Sequence, residues 1–314
     1  MIYLTQNIVE CLREESIKNL FKTKGFNDSF STWKTKINGL TTSKTPRQIL
    51  DIGDNLFEIF TTTRTSGRSQ SQVSAGGSSW ESLVCWYLNL CLVGRRTVVI
   101  KHSKKLIPFP ISDAITVNYS NFISNTESDL IAITFPEKEE YIVDKETISI
   151  RDENGIIVPP VIGKRFNLLP ILNALSNRDF NDIEIHIIQC KTNWNDNAQI
   201  PMLWDMIYSA NNFRNNITIG RNGFSIHNSK KFTYSFVTVP TSRVNNIKYS
   251  STCVKRVSNI SGGNYWGRHT VNGVASSVKE MLQRNLSTGH SDSHLTTLGA
   301  EIVKLNSEYA YFQL

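Results

Sequence analysis

Within the stretch IEIHIIQCKT (183–192), Ile183, Ile185, Ile187, Gln189 and Lys191 fall on one face of a strand, because side chains alternate with a period of two. Burying an ammonium without a partner is costly. A face that runs from three isoleucines to an amide and a lysine therefore either reaches water at Lys191 or ends in a site. Two further acids could stand beside it. Asp129 opens the apolar run SDLIAITF (128–135), and Glu81 lies in SSWESL, at the head of a long apolar segment. Two carboxylates and one amide oxygen suit a hard divalent cation such as Mg²⁺, which takes oxygen ligands and keeps several waters. A metal and a neighbouring lysine are the parts that phosphodiester hydrolysis needs. Each residue also has a plainer reading. Ser78 and Glu81 have the spacing of a capping box, Asp129 can simply begin a strand after a turn, and Lys191 can snorkel from a strand end. Glu184 and His186, on the opposite strand face, form a rival pair, expected on a half-exposed face or against a helix. Cys190 reads as core rather than nucleophile, since no motif places a His–Asp partner for it.

These residues must be positioned by regular elements. The apolar period predicts helices over 7–22 and 46–60, the second opened by Pro46. Residues 61–79 read as a polar loop. SSWESLVCWYLNLCLVG reads as a buried helix with Ser78 as N-cap and Gly94 as its stop. Strands are expected at 96–100, 128–135 and 183–191. The turn-rich segment 136–180 is expected as a peripheral insertion, with a hairpin around Glu153-Asn154-Gly155 and a short helix at 167–178. A helix at 200–211 follows, then strands in ITIG and KFTYSFVTVP, and late helices at 270–284 and 295–305. This order predicts an α/β layer fold, a central mixed β-sheet flanked by helices.

Composition narrows the function. The 314 residues carry a net charge of +7 and are 39% hydrophobic and 19% charged, values of an ordinary globular chain. The longest apolar run, LVCWYLNLCLV (83–93), is too short to span a bilayer and is interrupted by Asn89. No signal peptide is evident at the N-terminus. Five scattered cysteines without C-x-x-C spacing argue against a disulfide framework or a zinc site and lead us to expect a reducing cytoplasm. Residues 211–314 hold twelve Lys and Arg against four Asp and Glu, and no acid lies between Asp205 and Glu280. Excluding carboxylates over such a length suits contact with a polyanion. The densest candidate for reading DNA is VKRVSNISGGNYWGRHT (254–270), with Lys255, Arg256, Tyr265, Trp266 and Arg268. Arg243 in SRVNN, and Trp194 and Asn195 just after the strand that ends at Lys191, are further candidates.

Taken together, Asp129 in SDLIAITF, Gln189 and Lys191 in IIQCKT, and Glu81 in SSWESL resemble the PD-(D/E)XK nuclease superfamily. Its motif is an acid on one strand and acid-x-Lys on the next, often with a Glu on an upstream helix. The resemblance covers residues 76–210. It departs at Ser128, where the family often has Pro, and at Gln189, which replaces the second acid. It implies a restriction endonuclease-like fold, Mg²⁺ held by Asp129, Glu81 and Gln189, Lys191 acting on the attacking water, and duplex DNA as substrate. It also implies a type II enzyme that cuts both strands as a homodimer. The organisation expected is an N-terminal helical region (1–75), a core (76–210) with the 136–180 insertion, and a basic mixed α/β DNA-contacting region (211–314) packed on the core. Two rivals remain at this point: a non-catalytic DNA-binding protein with a nuclease-like sheet, and a strand-nicking subunit of a heterodimer. An α/β-hydrolase reading lacks its G-x-S-x-G.

Overall fold

The computed structural model describes residues 6–63, 70–101, 103, 105–119, 122–125, 128–192, 217–239, 250–252, 254–255, 258, 265–266 and 277–314. Twelve short strands can be assigned among them: β1 (Thr97–Lys101), β2 (Thr116–Tyr119), β3 (Phe122–Asn125), β4 (Leu130–Thr134), β5 (Ile150–Arg151), β6 (Ile157–Val158), β7 (Val161–Ile162), β8 (Arg165–Phe166), β9 (Glu184–Lys191), β10 (Ile217–Ile219), β11 (Lys231–Thr238) and β12 (Tyr265–Trp266). The helices are α1 (Ile8–Phe21), α2 (Lys24–Leu40), α3 (Pro46–Asp51), α4 (Leu56–Thr61), α5 (Gln70–Cys91), α6 (Phe109–Ala114), α7 (Leu168–Arg178), α8 (Val278–Asn285) and α9 (His294–Glu301).

A five-stranded sheet in the order β1-β4-β9-β11-β12 forms the centre. β1, β4 and β9 pair antiparallel, while β9, β11 and β12 run parallel, so the sheet is mixed as expected. Period-two alternation sends its side chains into two cores. Val98, Ile100, Ile131, Ile133, Ile185, Ile187 and Phe236 pack with residues of α1, α6 and α7. Val99, Leu130, Ala132, Ile188, Cys190 and Val237 pack with α2, α5, α8 and the C-terminal segment. Because α5 is buried on every side from Leu83 to Cys91, it shows apolar residues without a helical stripe.

One polar residue in that helix has a clear task. β1 is an edge strand, and its outward backbone groups need partners. Asn89 supplies two, donating from Nδ2 to Val99 O at 2.6 Å and accepting from Val99 N at 3.0 Å. Ser16 also donates to Val99 O and the buried Arg13 donates to Thr97 O, both at 2.9 Å. The edge is thus closed by side chains of α1 and α5.

Several expectations are corrected. Residues 70–79 are helical rather than a loop, so Ser78 sits inside α5 and is not its N-cap. The capping box of Ser78 and Glu81 does not exist; Ser78 O instead accepts from Ser82 Oγ at 2.8 Å, one turn on. The helix expected over 46–60 is broken into α3, a 3₁₀ turn (Ile52–Asp54) and α4. Gly53 lies at the break because a Cβ there would collide with the ring of Tyr87, whose hydroxyl donates to Leu50 O at 2.9 Å. α2 and α6 were not anticipated. The segment 136–180 leaves the sheet, as expected: the β5–β6 hairpin turns at Gly155 (φ +77°), β7–β8 forms a second hairpin, and α7 follows. β10 joins β2 and β3 in a separate three-stranded sheet. The late helices begin at Val278 and His294. The helix expected at 200–211 lies outside the described residues. Among the described residues no helix is long and apolar enough to cross a membrane.

Candidate active site

Where β1 and β9 end and β4 begins, five polar side chains come from four elements. The β4–β9 register sets Leu130 against Ile188, so the residue before β4, Asp129, stands beside the last turn of the ladder on β9. There Asp129 Oδ2 accepts the Cys190 amide proton at 2.7 Å. Oδ1 has no hydrogen-bond partner among the described residues. Gln189 is buried, on the face that carries Ile185 and Ile187, and Lys191 closes the strand half-buried. The ladder to β11 continues past it, with Val239 N donating to Lys191 O at 2.9 Å.

The second carboxylate arrives from α5. Glu81 is half-buried and pairs with Lys101, the last residue of β1, at 3.1 Å. Lys101 Nζ also meets Ser78 Oγ at 2.7 Å, Ser78 O at 2.9 Å and Ser82 Oγ at 3.0 Å. Those four oxygens fix the ammonium against α5. The β1–β4 register sets Lys101 against Leu130, one residue from Asp129.

The electrostatics tie the group together. Burial pushes the Asp129 carboxyl up to about 6; the Lys191 ammonium works against this, the Glu81 carboxylate adds to it, and the Cys190 amide and Lys101 oppose it. Asp129, Glu81, Lys101 and Lys191 are therefore close enough to feel each other's charge. Of the residues expected at the site, Asp129, Glu81 and Lys191 lie within range of each other's charge, whereas Gln189 is buried on the sheet face that carries Ile185 and Ile187, opposite the one that packs on α5. Lys101 was not anticipated. Its signal was present in TVVIK, a buried strand ending in lysine just as IIQCK does.

The donor set fits a hard cation. Asp129 is a desolvated carboxyl with one oxygen unused, Glu81 is a second carboxylate, and Gln189 offers a neutral oxygen. Among the described residues no group of three or more His, Cys, Asp and Glu side chains gathers as a metal site, so such an ion would depend on the amide and on waters.

The rival pair is closed off. Glu184 and His186 are both buried rather than half-exposed. His186 Nδ1 lies 2.6 Å from Thr233 Oγ1, and Glu184 accepts from Thr288 Oγ1 at 2.8 Å. Burial, with Lys231 nearby, pushes the imidazole down to about 3, so it stays neutral inside the core. Cys190 is buried and its thiol is held well above its ordinary value by desolvation, which suits a core residue. Tyr234 on β11 is also buried, and its hydroxyl has no hydrogen-bond partner among the described residues. A cleft of about 430 Å³ opens between Glu10, Glu14, Glu301 and Lys304, but its acidic lining does not suit a polyanion.

Of the residues expected to contact DNA, Trp194, Asn195, Arg243, Arg256 and Arg268 lie outside the described residues. Lys255 is exposed, and the backbone of Tyr265 pairs with Phe236 at the start of β12. No family model, no curated protein and no solved structure matches the chain.

Proposed function

We propose that the chain is a Mg²⁺-dependent endonuclease acting on duplex DNA, of the type II restriction kind. The observation that carries this reading is a desolvated Asp129 docked on the Cys190 amide, within range of the charges of Glu81 and Lys191, beside the strand end that carries Gln189. The antiparallel-then-parallel strand order supports it, since it delivers one acid from β4 and the Gln-x-Lys pair from the next strand in space. The acid-free stretch between Asp205 and Glu280 supports a polyanionic substrate.

Asp129, Glu81 and Gln189 would hold the cation, which when bound polarises a phosphoryl oxygen and makes a bound water more acidic. Lys191 orients the attacking water and offsets charge building on the phosphate. Lys101 balances the charge of Glu81 in the empty site and competes with the cation for that carboxylate. Cutting both strands calls for two such sites, hence two chains.

Gln189 in place of an acid, with Glu81 already paired to Lys101, favours one other reading: a DNA-binding protein that holds metal too weakly to cut. Supercoiled plasmid incubated with the protein in Mg²⁺ or in EDTA separates the two. Mg²⁺-dependent linearisation supports the endonuclease, nicking alone points to a single-strand subunit, and retardation without any cut supports the binding protein.

A further inference from the structure

Two lysines flank Asp129 from opposite faces of the sheet. Lys191 follows Ile185 and Ile187 on the face turned to α1, α6 and α7, whereas Lys101 follows Val99 on the face that packs on α5. Among the described residues, the charges that bear on the Asp129 carboxyl are those of Lys191, Glu81 and Lys101. Once Asp129 is ionised, two carboxylates therefore face two ammoniums, and the empty site has no net charge. A bound divalent cation leaves it doubly positive. One phosphodiester, with a single negative charge, offsets only half of that.

Lys101 is placed to meet the other half. Its ammonium has three protons and four oxygen neighbours, Ser78 Oγ at 2.7 Å, Ser78 O at 2.9 Å, Ser82 Oγ at 3.0 Å and Glu81 Oε2 at 3.1 Å. Glu81 can leave this group while every ammonium proton keeps a partner on α5. Its departure removes only the counter-charge. The approach is also open: Ser78 is exposed, 26% of the Lys101 side chain reaches solvent, and a Cβ added at Gly77 would meet nothing within 4 Å. We propose that Lys101, steadied by Ser78 and Ser82, is a second phosphate contact, which takes a backbone phosphate beside the one attacked and is masked by Glu81 until that carboxylate is engaged elsewhere. The subsite rests on the duplex-DNA reading above and lies on the other sheet face from Lys191. It makes DNA and a cation at Glu81 favour each other through one side chain.

The masking is tested without metal or turnover. Binding of a short mixed-sequence duplex to the full chain in EDTA is followed by fluorescence anisotropy over a range of salt. Each phosphate neutralised by a lysine steepens the dependence of log affinity on log salt by about 0.9. Glu81→Gln unmasks Lys101 and should steepen the wild-type slope by that amount. Lys101→Met should leave the wild-type slope, since its ammonium meets no phosphate while Glu81 holds it. Adding Glu81→Gln to Lys101→Met should then change nothing in the slope. Lys101→Gln, which can still donate to Ser78, repeats the cycle with the charge alone removed. A slope that steepens equally with and without Lys101 would mean that Glu81 merely repels DNA, and no steepening in Glu81→Gln would mean that Lys101 meets no phosphate. Either result overturns the subsite and leaves the endonuclease reading standing. Duplex that none of these proteins binds at any salt would overturn that reading, and the subsite with it.

Discussion

Asp129→Asn should make the protein more stable at pH 8 while removing the proposed DNA cleavage. In the folded chain the carboxyl sits at about 6, above the ordinary aspartate value of about 3.9, chiefly because it is taken out of water. A rise of that size corresponds to about 3 kcal/mol, and partial exposure lowers this to about 1.5–3 kcal/mol. Since the folded pKa lies above the unfolded one, the native state binds more protons between those values, and wild-type stability falls as pH rises through that window. The penalty is absent near pH 3.5, grows between about 4 and 6, and is complete above about 7. Asn keeps an oxygen to accept the Cys190 amide, so the 2.7 Å hydrogen bond survives the change. Urea titrations at several pH values therefore should give equal midpoints at low pH and a more stable variant at pH 8. Adding Mg²⁺ should raise the wild-type midpoint and move the variant much less, because the proposed site loses one of its two carboxylates. A variant less stable than wild type at pH 8 would refute the idea that the fold holds a strained carboxyl there. So would equal responses to Mg²⁺.

Three other substitutions bear on the same site. Lys191→Ala should abolish cleavage and, because its charge favours ionised Asp129, should move the onset of Mg²⁺-dependent stabilisation to higher pH; an unchanged onset would place Lys191 away from the carboxyl. Lys101→Met keeps the aliphatic stem but removes a cation that competes for Glu81. It should cost under about 1 kcal/mol in urea stability, as expected for a partly exposed pair, while lowering the Mg²⁺ concentration needed for half-stabilisation; a rise in that concentration would mean that Lys101 positions Glu81 rather than competing for it. Tyr234→Phe removes a buried hydroxyl without a partner among the described residues and should raise stability in urea by about 1 kcal/mol, with no loss of cleavage; a loss of activity instead would bring Tyr234 into the site.

How much could be read in advance followed from which residues obey a period. Residues 183–187 alternate, so Gln189 and Lys191 were legible from three isoleucines, and Asp129 followed from the apolar run behind it. α2 was equally legible in principle, since Phe26, Phe30, Trp33 and Ile37 recur at helical spacing on its buried side. The start of α5 was not. Its first residues, QSQVSAGGSS, are small and polar and carry no stripe, and Ser78 has the chemistry of a cap although it lies within the helix. That error also hid Lys101, because Glu81 had been given a local partner and the strand-end lysine was left without one. Asn89 was read as an interruption in an apolar run. Its role depends on β1 being an edge strand ten residues later, a tertiary fact with no local sign.

The most direct test of the central claim is to incubate genomic DNA with the protein in Mg²⁺ and sequence the new ends, with Asp129→Asn as the parallel control. The account predicts ends that share one short sequence, appear only with the divalent ion, and vanish in the Asn variant. Ends that still form in EDTA, or that form equally with the variant, would contradict metal-dependent hydrolysis at Asp129.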